Sequence, residues 1–146
     1  MKRLAKMIAL ALICGVMFTG CGKESIGSEE ISKPIEESIY SGTFTVKYFV
    51  DMPESWGREN GTTTLELKDG KFISTGNSNR IPAGGSGNYS IINDKIIFQD
   101  VNAWTADFDW NLILHGEYNF SFDGRRLKIS ANKNDVGYYE YDLKKK

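Results

Sequence analysis

Residues 104 to 122 alternate between apolar and polar side chains, and this run constrains the fold more than any other feature. Even positions are apolar, aromatic or glycine, and nearly all odd positions are polar, with Ile113 the main exception. Successive side chains of a strand point to opposite faces. The pattern therefore predicts a strand with one buried face and one solvent-exposed face. Extended at about 3.3 Å per residue, the run would exceed about 60 Å. We therefore expect it to break, with a kink at Gly116 or a connection around 105–107.

The same two-residue period recurs in short segments separated by turn dipeptides. Asp69-Gly70 and Asp123-Gly124 tolerate the positive φ of a type I′ turn, and Asn93-Asp94 is a third turn. The glycine-rich run 84–87 is interpreted as a mobile loop or bulge. The pattern predicts an all-β fold of about eight antiparallel strands, and we favour an up-and-down β-barrel over a sandwich. The other predicted strands are 43–50, 63–68, 71–75, 88–92, 95–99, 126–131 and 136–143.

The N-terminus resembles the signal peptide of a bacterial lipoprotein. A basic head precedes an apolar run, 7–18, that is too short to span a bilayer comfortably. The run ends in Phe18-Thr19-Gly20-Cys21, which is similar to a lipobox. The resemblance implies that Cys21 is acylated and becomes the first mature residue. An ordinary secretory signal with a chance cysteine is the alternative.

This resemblance divides the chain into three parts. Residues 1–20 are a signal peptide, 21–39 an acylated cysteine with a flexible acidic tether, and 40–146 the β-barrel domain. The implied location is the cell envelope, at the outer membrane, with the acyl chains at Cys21 as the anchor. Lys23-Glu24 resembles the surface-export tag of Bacteroidetes lipoproteins, with a plain polar tether as the alternative.

Charge and cysteine content exclude several function classes. Removal of residues 1–20 takes away three positive charges and changes the formal net charge from -1 to -4. A mildly acidic chain without a basic cluster does not suit nucleic acid. Cys14 leaves with the signal and Cys21 is modified, so the mature chain has no thiol for a disulfide or a nucleophile.

The domain resembles the small lipocalin-like, calycin-type lipoproteins of Bacteroidetes over about residues 40 to 143. The resemblance rests on the segments GGSGNYSI, DFDWNLIL and GEYNFSFDG. Gly42-Thr43-Phe44 stands where lipocalins carry Gly-x-Trp. The resemblance implies an eight-stranded barrel that can hold a small apolar ligand, and it implies no enzymatic activity.

Candidate chemical groups are few. His115, the sole histidine, has no nucleophile or orienting partner nearby in sequence, so we interpret it as an exposed strand residue. Asp107, Asp109 and Asn111 have the spacing of half a calcium loop, but the glycine and glutamate that should follow are missing. We therefore predict no catalytic residue, no metal and no cofactor, and we expect the protein not to be an enzyme.

The aromatic residues are the candidate ligand contacts. Tryptophans near a barrel rim can stack on a sugar or clasp an apolar ligand, or they can close the barrel as core. The first hypothesis is a binding module that takes a small apolar or glycan-like ligand at the barrel mouth. The alternative is a structural or protein-interaction envelope lipoprotein with a filled barrel, which the bulky inward side chains favour. The candidate contacts are Trp56, Trp104, Phe108, Trp110, Tyr48 and Tyr118.

Overall fold

The computed structural model describes residues 33–49, 51 and 60–146, and these residues form a closed antiparallel β-barrel. Each strand pairs with its neighbours in sequence, and the last strand pairs with the first. The predicted eight-stranded up-and-down barrel is therefore confirmed. The strands are β1 (Ser38–Tyr48), β2 (Asn60–Lys68), β3 (Lys71–Thr75), β4 (Gly84–Ile92), β5 (Lys95–Asp100), β6 (Gly116–Phe122), β7 (Arg126–Lys133) and β8 (Gly137–Lys145).

The connections divide the barrel into two ends. Short turns join β2 to β3, β4 to β5 and β6 to β7 at what we call the turn end. Strand direction alternates around the barrel, so the remaining connections meet at the opposite end, which we call the loop end. The loop-end connections are 49–59, of which 49 and 51 are described, 76–83, 101–115 and 134–136.

Side chains of the described strands fill the barrel interior. Aromatic rings pack against one another across it, with ring centroids 4.7 Å apart for Phe44 and Tyr141 and 4.9 Å apart for Phe72 and Phe98. Such offset and edge-on pairs stabilise a core beyond the area they bury. The inward set expected from the sequence is confirmed as bulky, and its members are fully or partly buried: Phe44, Tyr48, Leu65, Leu67, Tyr118, Phe120 and Phe122.

The N-terminal segment 33–37 lies along the turn end. The backbone N–H of Lys33 donates to the carbonyl of Phe122 at 2.9 Å, and its Nζ donates to the carbonyl of Asp123 at 2.8 Å. The backbone N–H of Asp69 donates to the Glu37 carboxylate at 2.8 Å. The ordered barrel domain therefore includes residues that the sequence pattern assigns to the tether, and β1 begins two residues before the expected domain start.

The long alternating run is only partly a strand. β6 begins at Gly116, whose φ of +91° turns the chain into the strand, and alternation holds from there to Phe122. Residues 101–115 form a connection with a single 3-10 turn at Trp110–Leu112. Three consecutive residues, 112–114, are buried in it, which no strand with a two-residue period allows. The expected break is confirmed, but the connection is longer than 105–107.

The glycine-rich run 84–87 is the first part of β4, so its interpretation as a loop or bulge is wrong. Glycine is needed there because neighbouring strands approach closely. A Cβ on Gly87 would lie 2.0 Å from the backbone oxygen of Gln99, and one on Gly84 would lie 2.5 Å from that of Ser74.

Loss of the hydroxyl should affect the stability of the barrel differently at two interior tyrosines. The Tyr141 hydroxyl is buried without a hydrogen-bond partner among the described residues, whereas that of Tyr139 donates to Asp109 at 2.9 Å. We expect Tyr141→Phe to leave the free energy of unfolding unchanged or raise it by about 1 kcal/mol. Tyr139→Phe should lower it by about 2 kcal/mol, since a bond to a charged group is lost. Urea denaturation measures both, and equal losses would contradict the prediction.

Candidate functional site

The connection 101–115, which we call the cover loop, closes the loop end of the barrel. Leu112 and Leu114 point into the core, so the loop is fixed by burial of apolar surface. Its backbone also pairs with the neighbouring connection. The N–H of Leu114 donates to the carbonyl of Gly84 at 2.9 Å, and the N–H of Ala83 donates to that of Leu112 at 3.0 Å.

Lys133 at the end of β7 holds the cover loop against the barrel. Its Nζ donates to the backbone carbonyls of Asn111, Ile113 and His115, each at 3.1 Å. The ammonium also lies 4.7 Å from the ring centroid of Tyr118, a cation–π distance. Burial lowers the pKa of Lys133 to about 8. The group is therefore still protonated at pH 7, and its three N–H donors match three carbonyl acceptors.

Asp109 fixes the cover loop from the inside. One carboxylate oxygen accepts the hydroxyl of Tyr139 at 2.9 Å and lies 3.5 Å from that of Tyr48. The other accepts the backbone N–H of Asn111 at 2.9 Å and so caps the 3-10 turn. Burial and the hydrogen bond to Asp109 both raise the pKa of Tyr139. The hydroxyl therefore stays protonated and remains a donor.

Trp104 and Phe108 are held in the loop by local contacts. The indole N–H of Trp104 donates to the Asp100 carboxylate at 2.7 Å, and its ring packs edge-on against Phe108 at 5.8 Å. The Arg80 guanidinium lies 4.7 Å above the Phe108 ring and pairs with Asp107 at 2.6 Å. Both aromatic rings are partly covered, so these two predicted contacts serve the structure of the loop.

Trp110 is presented differently from the other loop aromatics. Its side chain is 56% exposed, yet its indole N–H donates to the backbone carbonyl of Thr105 at 2.9 Å. The ring is therefore exposed and held in one orientation. It borders a groove of about 290 Å³ on the outer wall, which we call the β6–β7 groove. The groove is lined by Trp110, Asn111, His115, Gly116, Glu117, Asn132, Lys133 and Asn134.

The other predicted contacts are distributed unevenly. Tyr48 is partly buried at the loop end, whereas Tyr118 is 1% exposed inside the barrel beneath Lys133 and cannot meet a ligand at the surface. The tryptophan of the first connection, Trp56, and the acylation candidate Cys21 lie outside the described residues. The loop end thus unites four of the six predicted ligand contacts: Tyr48, Trp104, Phe108 and Trp110.

The three residues with the spacing of a calcium loop do not form an ion site. Asp107 pairs with Arg80, Asp109 meets the tyrosines, and Asn111 accepts a hydrogen bond from Asn134 at 2.9 Å. The three side chains thus have different partners, and the described ranges contain no cluster of three metal-ligating residues. His115 is exposed as predicted, but it ends the cover loop instead of lying in a strand.

Sequence reasoning missed Lys133, Asn132 and Asn134, and it considered Asn111 only as part of a calcium-like spacing. Lys133 sits in a polar stretch that reads as a hairpin turn, and its acceptors lie 18 to 22 residues earlier in the chain. Only the folded barrel brings these segments together.

No family model, curated protein or solved structure matches this chain. Within residues 33–49, 51 and 60–146, no helix is long and apolar enough to cross a membrane.

Proposed function

We propose that the protein is a lipid-anchored lipoprotein of the bacterial envelope, located at the outer membrane, that binds a glycan-like ligand at the loop end and catalyses no reaction. The observation that carries this proposal is the exposed, fixed ring of Trp110 beside the β6–β7 groove. Fixing a contact residue before binding reduces the entropy lost when the ligand arrives.

The chain enters the barrel at the end opposite the proposed ligand site. Residues 33–37 lie along the turn end, whereas the cover loop with Trp110 lies at the loop end. A ligand at the loop end therefore does not compete with the segment through which the chain enters the barrel.

The filled interior favours a ligand at the surface over an apolar ligand inside the barrel. Eight-stranded barrels either fill their interior with side chains or hold one small molecule. Here the ring of Tyr141 packs against those of Phe44 and Tyr118 inside the barrel. An apolar ligand would have to displace them.

The same filled interior supports a second candidate, a structural or protein-interaction lipoprotein. Ile39 and Ile73 are exposed on the outer wall on either side of Glu66 in the strand register. Exposed apolar side chains grouped on one face can mark a protein contact. A protein partner copurifying in stoichiometric amount would favour this candidate.

The anchor is tested by Cys21→Ser. We expect the acylated protein to sediment with membranes and the variant to lose both the lipid mass and the membrane association, because two or more acyl chains are needed for stable anchoring. Fractionation with intact-mass measurement checks this. A variant that stays in the membrane fraction would show that another feature holds the protein there.

The binding face is tested by Trp110→Ala in the acylated protein, extracted gently from its own membrane. Native mass spectrometry should show a bound mass beyond the lipid in the unaltered protein and lose it in the variant. Trp110 is largely exposed, so the urea midpoint should change little. A bound mass that survives the substitution would place the ligand elsewhere, and Trp56→Ala would then test the remaining tryptophan candidate.

A further inference from the structure

We infer that the β6–β7 groove is a subsite for one neutral pyranose ring, with Trp110 as its stacking surface. This inference rests on the proposed function and specifies the ligand class and the contacts of that site. It places the sugar on the outer wall of the barrel, beside the cover loop, and not in the barrel interior.

The groove exists because β6 and β7 separate towards the loop end. Their hydrogen-bonded ladder runs only from the pair Phe122–Leu127 to the pair Asn119–Ser130. Beyond it, β6 continues to pair with β5, and β7 continues to pair with β8. The opening of about 290 Å³ lies just below the range typical of sites for drug-sized molecules, so one sugar ring is a suitable occupant.

The lining has the two kinds of surface that a pyranose needs. A sugar ring has an apolar C–H face, and the exposed indole of Trp110 offers a flat apolar surface to it. The hydroxyls of the sugar both donate and accept hydrogen bonds, and so do the side-chain amides of Asn111, Asn132 and Asn134. The bond from Asn134 Nδ2 to Asn111 Oδ1 fixes two of these amides before binding.

His115 adds a directed donor. Its Nδ1 accepts the backbone N–H of Asp100 at 3.2 Å, so the neutral ring carries its proton on Nε2. The imidazole lines the groove, and Nε2–H is the donor left for a ligand hydroxyl.

The charges of the groove select a neutral sugar over an anionic one. The Lys133 ammonium is the cation in the lining, and three backbone carbonyls already use its donors. The Glu117 carboxylate, paired with Lys95 at 3.2 Å, is largely exposed and would repel a second carboxylate. Among the described lining residues, none therefore has a charged N–H group left to pair with a uronate or a phosphosugar.

The test uses the full acylated protein in detergent micelles, labelled with ¹⁵N. The probes are the methyl glycosides of glucose, galactose, N-acetylglucosamine and glucuronic acid. We expect at least one neutral glycoside to shift the side-chain amide signals of Asn111 and Asn134 with a Kd of about 1 mM, and glucuronide to bind at least about tenfold more weakly.

Three variants assign the contacts. Trp110→Ala should weaken the binding of the neutral glycoside by about tenfold. Trp110→Phe should retain most of the affinity, because a flat aromatic ring remains. Asn132→Ala should weaken binding as well. Asn119→Ala is the matched control, because Asn119 is an exposed asparagine of β6 that does not line the groove.

Three outcomes would overturn the inference: no shift with any neutral glycoside, glucuronide binding as tightly as the neutral sugars, or unchanged affinity in Trp110→Ala. If a native bound mass is still lost in Trp110→Ala while no sugar binds, the binding face survives and the sugar subsite is wrong. If there is neither a bound mass nor a shift, the sugar subsite and the proposed function fail together.

Discussion

Lys133→Met should lower the free energy of unfolding by about 3 kcal/mol, because three backbone carbonyls lose a charged donor at once. Methionine keeps an unbranched apolar side chain of similar length but has no N–H to donate. The cover loop should loosen before the barrel unfolds, since its other contacts are fewer than those of the strands. Urea denaturation gives the global loss, and amide hydrogen exchange in 111–115 reports the local one.

Lys128→Met is the matched control for this substitution. Lys128 lies on the same strand but is exposed, so its loss should change the free energy of unfolding by about 0.5 kcal/mol or less. Equal stability of the two variants, with 111–115 still protected from exchange, would show that the ammonium does not hold the loop. Loosening of the loop should also weaken the proposed ligand binding, because the backbone of Trp110 moves with the loop.

Gly42→Ala should also lower the free energy of unfolding by about 3 kcal/mol, at the upper end of the cost of overpacking. Gly42 lies in β1 where the barrel closes against β8, and a Cβ there would be 2.0 Å from the backbone oxygen of Asp142. Rotamer changes cannot relieve a clash with a backbone atom, so the two strands would have to separate. The urea midpoint and the β signal in circular dichroism measure the effect.

Thr43→Ala at the neighbouring, exposed position controls for the change to alanine in β1. This substitution should lower the free energy of unfolding by no more than about 1 kcal/mol, which is the range of β-propensities among residues. A Gly42→Ala variant with an unaltered urea midpoint would mean that β1 and β8 can move apart without loss of stability.

Most of the barrel could be predicted from local sequence because its hairpins are local. Asp69 and Gly70 have φ of 50° and 70°, as the predicted tight turn requires, and β3 spans the predicted Lys71–Thr75. Each such hairpin needs only its own turn residues and the alternation of its two strands. The count of eight strands follows from these local units.

The candidate site was harder to predict because it depends on contacts between distant segments. Alternation at Trp104, Phe108 and Trp110 resembles that of a strand, but the cover loop owes its shape to burial of Leu112 and to Lys133. Nothing near 133 in the sequence marks a lysine with three carbonyl acceptors. The tryptophan positions therefore indicated the cover loop, but they did not indicate the groove beside it.

The path of residues 33–37 along the turn end determines how the barrel bears mechanical load. A pull between residue 33 and the loop end would run along β1, which is hydrogen-bonded to β2 on one side and to β8 on the other. Such a force acts on both ladders in shear, so their hydrogen bonds share the tension and must break together instead of opening one by one. The domain is therefore expected to resist unfolding when it is pulled between these two points.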